Sequence, residues 1–277
     1  MQPLQSDTDI FNAFKLYKET VLQTDVDIHF WQWFIKEGVK GFMQDQSKGE
    51  LVYAAIFAAY NINHVNSQGI LKSNEKSIQL LKSNLENHRV DFLSWVINLS
   101  IVKIYNAVEI FFYQAIQLKY FPNNDSPLNN KKAIYKINKE IKTILQASNI
   151  KYDTTNNKHL IEFIKSKSSE YSFFINNPIR IDLITTWVNF FELLSILRNI
   201  VVHDSMLVTK NVENRIKGHA KDIFNRHFNI VKNISGNNVL QPKEDQYKSF
   251  VVIVNDFTLN TVKFLSNEQD FDFIQMY

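Results

Sequence analysis

The sequence predicts a mainly α-helical protein built as a multi-helix bundle, and three observations favour that class. The chain of 277 residues contains only 6 Gly and 5 Pro, the residues that supply the tight turns of barrels and sandwiches. The stretches from Leu85 to Phe121 and from Ile181 to His203 contain neither residue and carry apolar side chains at helical spacing. Hydrophobic residues make up 45% of the chain, which is enough for a core without disulfides or metals.

The sequence of the first part of the chain predicts helices, and no role can be assigned to them. Ser6 or Asp7 can cap a first helix, and a second amphipathic stretch begins near Asp27. The segment Glu50–Val65 is apolar on most sides, which predicts a buried helix. The polar stretch Asn63–Ser77 predicts a loop or linker.

The composition then changes, so we take residues 1–84 as an N-terminal helical region and residues 85–277 as the domain that carries the function. That domain opens with the long apolar helix from Leu85, which Pro122 ends. Apolar runs at Phe228–Val231 and Asn238–Leu240 flank turn-forming residues and predict a small β-hairpin near the C-terminus. Further helices are predicted over Lys131–Ala147, Asn157–Ser166, Ile181–His203, Lys210–Asn225 and Lys243–Leu265.

The composition also excludes several classes of function. The chain has no Cys, which excludes disulfides, thiolate zinc sites, iron–sulfur clusters and cysteine nucleophiles. The N-terminus lacks the basic and apolar segments of a signal peptide, and the longest near-apolar stretch, around Leu51–Tyr60, is shorter than the roughly 20 residues that span a bilayer. We therefore expect a cytoplasmic protein without a membrane span. A net charge of +3 permits an anionic partner without indicating one.

The histidines and tryptophans give weaker signals. The histidines outside the central helix lack ligand spacing, and the sequence contains no phosphate-binding glycine loop, so we expect neither a metal site nor a cofactor. Four tryptophans lie at helical core spacing, which favours packing over base stacking. They are Trp31, Trp33, Trp95 and Trp187.

The most informative segment is the C-terminal part of the predicted central helix. Because an α-helix turns about 100° per residue, Asn199 and His203 lie about 40° apart on it, and a long Arg198 side chain can reach His203. The same face carries a narrow polar stripe of Thr185, Asn189, Glu192, Asn199 and His203.

Two interpretations of this stripe are open. In the first, it is the solvated face of an amphipathic helix, with His203 near the C-terminus where the helix dipole favours a cation. In the second, the planar guanidinium of Arg198 binds an anion and His203 transfers protons near neutral pH. An Arg and a His without metal ligands suit cleavage of a phosphodiester by an internal hydroxyl group.

The segment Arg198–His203, RNIVVH, matches the R-x4-H motif with a polar residue directly after the Arg. In this it resembles the HEPN (higher eukaryote and prokaryote nucleotide-binding) domains. A long apolar helix with an internal Glu109 precedes the motif, and a hairpin and a helix follow it, as in several prokaryotic HEPN families. The resemblance covers residues 85–265.

This resemblance implies a helical bundle that dimerises, with two motifs facing each other across a cleft, and a metal-independent endoribonuclease such as a toxin or a phage-defence effector. It implies that His203 acts as general base or acid and that Arg198 holds the scissile phosphate of an RNA substrate. Asn199 would contact the substrate. Glu109, which either forms a salt bridge across the bundle or lines the cleft, and Asp204 complete the expected substrate-binding residues. The sequence does not identify a protein inhibitor.

Because many HEPN domains are binding or scaffolding modules, a non-catalytic RNA- or protein-binding helical module is the alternative. The chain departs from one HEPN subgroup in which a Tyr follows the His by two positions, since Asp204 and Ser205 stand here. Arg215 and His219, in the polar stretch after the motif, are expected to be solvated charges that need no function. As an alternative, they can extend a basic RNA-facing surface.

Overall fold

The computed structural model describes residues 5–56, 77–233 and 236–266. Within these ranges the chain forms eight α-helices and two two-stranded antiparallel sheets, which confirms the mainly helical class. The chain divides into two compact units, a large unit of residues 1–27 and 96–277 and a small unit of residues 28–95. The predicted boundary after residue 84 lies within the small unit, and the separate role of residues 1–84 stays a prediction.

The helices are α1 (Gln5–Gln44), α2 (Leu85–Tyr120), α3 (Lys131–Ala147), α4 (Lys158–Lys167), α5 (Ser169–Asn176), α6 (Trp187–Val202), α7 (Lys210–His227) and α8 (Tyr247–Ser266). The strands are β1 (Leu51–Ile56), β2 (Ser77–Leu81), β3 (Phe228–Lys232) and β4 (Asn238–Pro242). Strand β1 pairs with β2, and β3 pairs with β4.

The long helix α2, the helix α3 and the C-terminal hairpin of β3 and β4 confirm the predictions for these segments. The side chain of Asn130 caps α3 by accepting a hydrogen bond of 3.1 Å from the backbone N–H of Ala133. Helix α2 ends two residues before Pro122, as expected from the missing N–H of proline. The predicted hairpin turn includes Ser235, which lies outside the described residues.

Two predictions for the N-terminal part are wrong. The two predicted helices are one, α1, because the sequence between them contains no Gly or Pro to end a helix. Residues 51–56 of the predicted helix Glu50–Val65 form strand β1, in which the Leu51 and Tyr53 side chains are exposed. Pairing with β2 satisfies the backbone there, and tertiary context overrides the apolar pattern. Residues 57–65 and most of the predicted loop lie outside the described residues.

The predicted central helix begins six residues late, at Trp187. The Asp222 carboxylate of α7 accepts hydrogen bonds from the backbone N–H groups of Ile184 (2.8 Å) and Thr185 (3.1 Å) and from the Thr185 hydroxyl group. These bonds hold the segment in a non-helical conformation, so Thr185 does not belong to the polar stripe. Thr186 then caps α6 by accepting a hydrogen bond from the N–H of Asn189.

Aromatic side chains of α2, α6 and α8 form the core of the large unit. The ring centroids of Phe112 and Phe191 lie 5.7 Å apart, and Phe257 lies 5.7 Å from the first and 5.5 Å from the second. All three rings are buried. Helix α6 therefore packs against two partners, and this packing fixes the helix end that carries Arg198 and His203.

One helical stretch among the described residues, Lys82–Tyr120, has the length and composition to cross a membrane, and half of its most apolar window is buried inside the protein. The core helix of a soluble protein meets the same criterion.

The small unit contains residues 28–44 of α1, the hairpin of β1 and β2, and the first residues of α2. The backbone carbonyl of Glu50 accepts a hydrogen bond of 2.7 Å from the N–H of Lys82, which closes the base of this hairpin. The prediction that the tryptophans pack in the core is wrong for Trp31, Trp33 and Trp95, which are exposed, whereas Trp187 in the large unit is buried.

Candidate active site

The candidate site lies at the C-terminal end of α6. The helix ends at Val202, and the backbone N–H of His203 still donates to the carbonyl of Asn199 at 2.9 Å. Beyond the helix, Ser205 and Met206 adopt left-handed conformations, with φ values of 49° and 66°. His203 is consequently the last residue that the helix positions, and it is exposed to solvent.

The structure brings Arg198, Asn199 and His203 together. Arg198 Nη1 donates a hydrogen bond of 2.9 Å to Asn199 Oδ1 and lies 3.0 Å from His203 Nε2. Because a guanidinium group can only donate, Nε2 of His203 accepts in this hydrogen bond. Nε of Arg198 is buried and has no hydrogen-bond partner among the described residues. Both hydrogen bonds of the guanidinium group use Nη1, so the group keeps further donors beside the imidazole of His203.

The loop of residues 155–157 reaches this group through Asn156. Asn156 Oδ1 accepts a hydrogen bond of 3.4 Å from Asn199 Nδ2, and Asn156 Nδ2 donates one of 3.3 Å to Glu192 Oε1. Asn156 and Asn157 both adopt left-handed conformations, with φ values of 54° and 56°. Asparagine tolerates this conformation better than most residues with a side chain. Two asparagines therefore let the chain turn sharply against α6.

Glu109 supports this loop from behind rather than joining the Arg198 group. Asn157 Nδ2 donates to Glu109 Oε1 at 2.7 Å and to the Tyr105 hydroxyl group at 2.8 Å. The Ser195 hydroxyl group also donates to Tyr105, at 2.9 Å. No hydrogen bond or ion pair joins Glu109 to Arg198 within the described ranges. The expected role of Glu109 in substrate binding stays a prediction.

The Tyr105 hydroxyl group is the centre of this supporting network. Burial raises the pKa of Tyr105, and the nearby charge of Glu109 raises it further, while hydrogen bonds from Ser195 and Asn157 and the charge of Arg198 act in the opposite direction. The phenol stays neutral at physiological pH and serves as a fixed hydrogen-bonding group. The network around Tyr105 and the guanidinium group of Arg198 are therefore close enough to interact electrostatically.

Asp204 follows the motif on the exposed surface. Its backbone carbonyl accepts a hydrogen bond of 2.8 Å from the N–H of Leu207. In the part of the chain that the structure describes, its carboxylate makes no hydrogen bond or ion pair, so a role in substrate binding stays a prediction for this residue as well.

Sequence analysis missed a cluster of charges around Glu192, whose side chain is only 11% exposed. Its carboxylate lies 3.2 Å from Lys158 Nζ, 3.7 Å from an Arg215 nitrogen and 3.6 Å from His219 Nε2. The sequence did hold a partial signal, because Arg215 and His219 are four residues apart and share one face of α7. Nothing in the sequence pattern indicated that this face meets Glu192.

No group of three or more acidic or histidine side chains is arranged to hold a metal ion within the described residues. Comparisons with protein-family models, curated proteins and solved structures found no match for this chain. A guanidinium group with unused donors and an exposed imidazole can together bind an anion and transfer a proton.

Proposed function

We propose that this chain is a cytoplasmic, metal-independent endoribonuclease of HEPN type that acts as a homodimer in toxicity or phage defence. The observation that carries the proposal is the 3.0 Å contact between Arg198 Nη1 and His203 Nε2 at the exposed end of a packed helix. The R-x4-H spacing of the sequence and the helical fold with its C-terminal hairpin support it.

In the proposed reaction, RNA displaces His203 from its contact with Arg198, and the guanidinium donates to the non-bridging oxygens of the scissile phosphate. His203 Nε2 accepts the proton of the ribose 2′-hydroxyl group, whose oxygen attacks phosphorus. The bond from phosphorus to the 5′-oxygen breaks, and this oxygen takes a proton from a second histidine. The products are a 2′,3′-cyclic phosphate and a 5′-hydroxyl end. Arg198 stabilises the charge that develops on the phosphate oxygens.

Dimerisation supplies the second histidine in this proposal. One His203 removes a proton while the other donates one, so the two roles fall to identical residues of the two protomers. Asn199 holds the Arg198 guanidinium through its Oδ1 at 2.9 Å, which orients the group before the substrate arrives.

The test compares the wild type with His203→Ala on single-stranded RNA in the presence of EDTA. We expect the wild type to produce 2′,3′-cyclic phosphate ends and His203→Ala to be slower by about 100-fold or more. The exposed His29 provides a matched control, because His29→Ala removes an exposed histidine far along the sequence from the motif. A substrate with 2′-deoxyribose at the cleavage position should resist the wild type.

Equal cleavage by wild type and His203→Ala, or cleavage by neither, would contradict the catalytic proposal. RNA binding without cleavage, kept in His203→Ala and weakened in Arg198→Ala and by added salt, would instead support a non-catalytic RNA-binding module. Absence of salt-sensitive RNA binding would leave a protein-binding module.

A further inference from the structure

The charge cluster around Glu192 has more cations than its single carboxylate needs. Lys158 contacts Oε2, while Arg215 and His219 approach Oε1. Lys158 and Arg215 carry permanent charges, so the cluster has an excess of one positive charge, which becomes two when His219 is protonated. One cation neutralises one carboxylate, so the second positive charge can interact with a further anion.

The cations also lie nearer to solvent than the carboxylate. Their side chains are 40%, 39% and 35% exposed for Lys158, Arg215 and His219, against 11% for Glu192. The Arg215 contact, at 3.7 Å, is longer than a hydrogen bond. Because Arg215 has five N–H donors and Lys158 three, most of their donors remain available. The buried carboxylate thus contacts three partly exposed side chains, two of them cations and the third a histidine.

Three separate helices supply this cluster. Glu192 lies in the middle of α6, Lys158 begins α4, and both Arg215 and His219 lie on α7. Side chains on packed helices are better positioned for binding than side chains on loops.

A cleft of about 340 Å³ adjoins the cluster on the side of Lys158. Its lining is partly apolar, from Ile161, Val188 and Phe191. Its polar and charged side chains are two lysines, one asparagine and three carboxylates: Lys151, Lys158, Asn156, Asp153, Glu162 and Glu192. Ligand sites commonly combine an apolar lining with a few polar groups that fix orientation, and this volume is at the lower end of their usual range. The cleft is of a size to hold a nucleoside but not a base-paired helix.

Asn156 connects this cluster to the candidate active site. Its amide bonds Glu192 through Nδ2 at 3.3 Å and Asn199 through Oδ1 at 3.4 Å. Glu192 and Asn199 are seven residues apart on α6, which corresponds to two helical turns, or about 10 Å along the axis. A strand of RNA that has one phosphate at Arg198 can therefore present a nearby phosphate to the cluster.

We propose that Lys158, Arg215 and His219 form a second phosphate subsite for RNA, and that the adjoining cleft accepts the unpaired nucleoside next to that phosphate. The substrate class is then single-stranded RNA, because a base must leave the stack to enter the cleft. This inference rests on the proposed function, since the first phosphate is the one assigned to Arg198.

The experiment measures RNA binding in the His203→Ala background, where cleavage does not interfere. The dissociation constant of a labelled 12-nucleotide single strand is determined between 50 and 300 mM KCl by fluorescence anisotropy. We expect Arg215→Gln and Lys158→Gln each to weaken binding by about tenfold at low salt and to reduce the slope of log K against log salt by about 0.7. Lys139→Gln, which removes one exposed positive charge on α3, should leave both quantities unchanged.

Glu192→Gln provides a test of opposite sign. It removes the negative charge beneath the cations and should tighten RNA binding by about fivefold at low salt. A purely structural role of Glu192 would instead loosen the cations and weaken binding. Thermal melts confirm that each variant is folded, and Arg215→Gln, which alters a half-exposed side chain, keeps the test decisive where Glu192→Gln does not fold.

The proposal is overturned when Arg215→Gln binds RNA like Lys139→Gln, when Glu192→Gln weakens binding in a folded protein, or when a duplex of the same sequence binds as tightly as the single strand. Failure of the proposed function is detected separately, as a wild-type protein that binds RNA with the expected charge dependence but does not cleave it.

Discussion

Asn157 gives the most direct test of how the loop of residues 155–157 is held against α6. Its side chain donates to Glu109 and Tyr105 at 2.7 and 2.8 Å, and its backbone has a left-handed φ of 56°. Asn157→Gly removes both hydrogen bonds but keeps the conformation, so we expect the free energy of unfolding to fall by about 2–3 kcal/mol. Asn157→Ala removes the same hydrogen bonds and, because Ala tolerates the left-handed region less well than Asn or Gly, it should cost about 1 kcal/mol more than Asn157→Gly.

Urea unfolding at pH 7, followed by circular dichroism, measures both values. Asn149 is a matched control, because it is exposed and has a left-handed φ of 55°, and its side chain makes no hydrogen bond among the described residues. At this control position, Ala should cost about 1 kcal/mol and Gly close to nothing. If Asn157→Gly is as destabilising as Asn157→Ala, or if neither differs from wild type by more than about 0.5 kcal/mol, the reasoning about this loop is wrong.

Two further predictions concern pH and the start of α6. Burial lowers the pKa of His159 to about 4, and the charge of Asp153 opposes this only in part. Between about pH 6.5 and pH 4 the unfolded chain therefore binds a proton that the folded chain does not. The free energy of unfolding should consequently fall by about 3 kcal/mol as the pH drops through this range. His159→Gln should remove this pH dependence when the free energy of unfolding is measured by urea titration. Burial raises the pKa of Asp222, but hydrogen bonds from Thr185 and from nearby amides outweigh it and hold the pKa below its usual range. The contribution of the Asp222 carboxylate to stability is present above about pH 4 and is lost below. Asp222→Asn should lower the free energy of unfolding by about 2 kcal/mol at pH 7. In thermal melts at a series of pH values, the melting temperature of this variant should fall less steeply at acid pH than that of the wild type.

Helical spacing was sufficient to predict the parts of the fold that depend on local rules. Helix α3 has its buried face and its Asn130 cap within one segment, and the proximity of Arg198 to His203 follows from five residues on one helix. The prediction of the start of α6 was wrong because Asp222, which is distant in sequence, supplies the hydrogen bonds that keep the preceding segment out of the helix. The prediction of a helix at residues 51–56 was wrong for the same kind of reason, since pairing with β2 decided the conformation of this segment.

The supporting residues of the candidate site were missed because they come from elements that only tertiary packing brings together. Asn156 and Asn157 stand in a polar stretch without periodicity, where asparagines ordinarily indicate no more than a turn. Glu192 was assigned to a polar stripe, and a stripe does not show whether it faces solvent or three cations. Burial separates these cases, because a carboxylate 11% exposed would be strongly destabilised without partners.

The hydrogen bonds of Asn156 also determine how mutations affect the Arg198 group and the Glu192 cluster. Asn156 bonds Asn199 on one side and Glu192 on the other, and its own backbone carbonyl oxygen lies 3.3 Å from the Ser195 hydroxyl oxygen. A change at Asn156 therefore perturbs the Arg198 group and the Glu192 cluster together, whereas a change at Arg215 reaches only the cluster. Residues that share one network have non-additive effects. A double-mutant cycle on RNA affinity should accordingly give coupling between Asn156→Ala and Arg198→Ala, and near-additivity between Arg215→Gln and Arg198→Ala, because in the described structure no side-chain contact joins the last two residues.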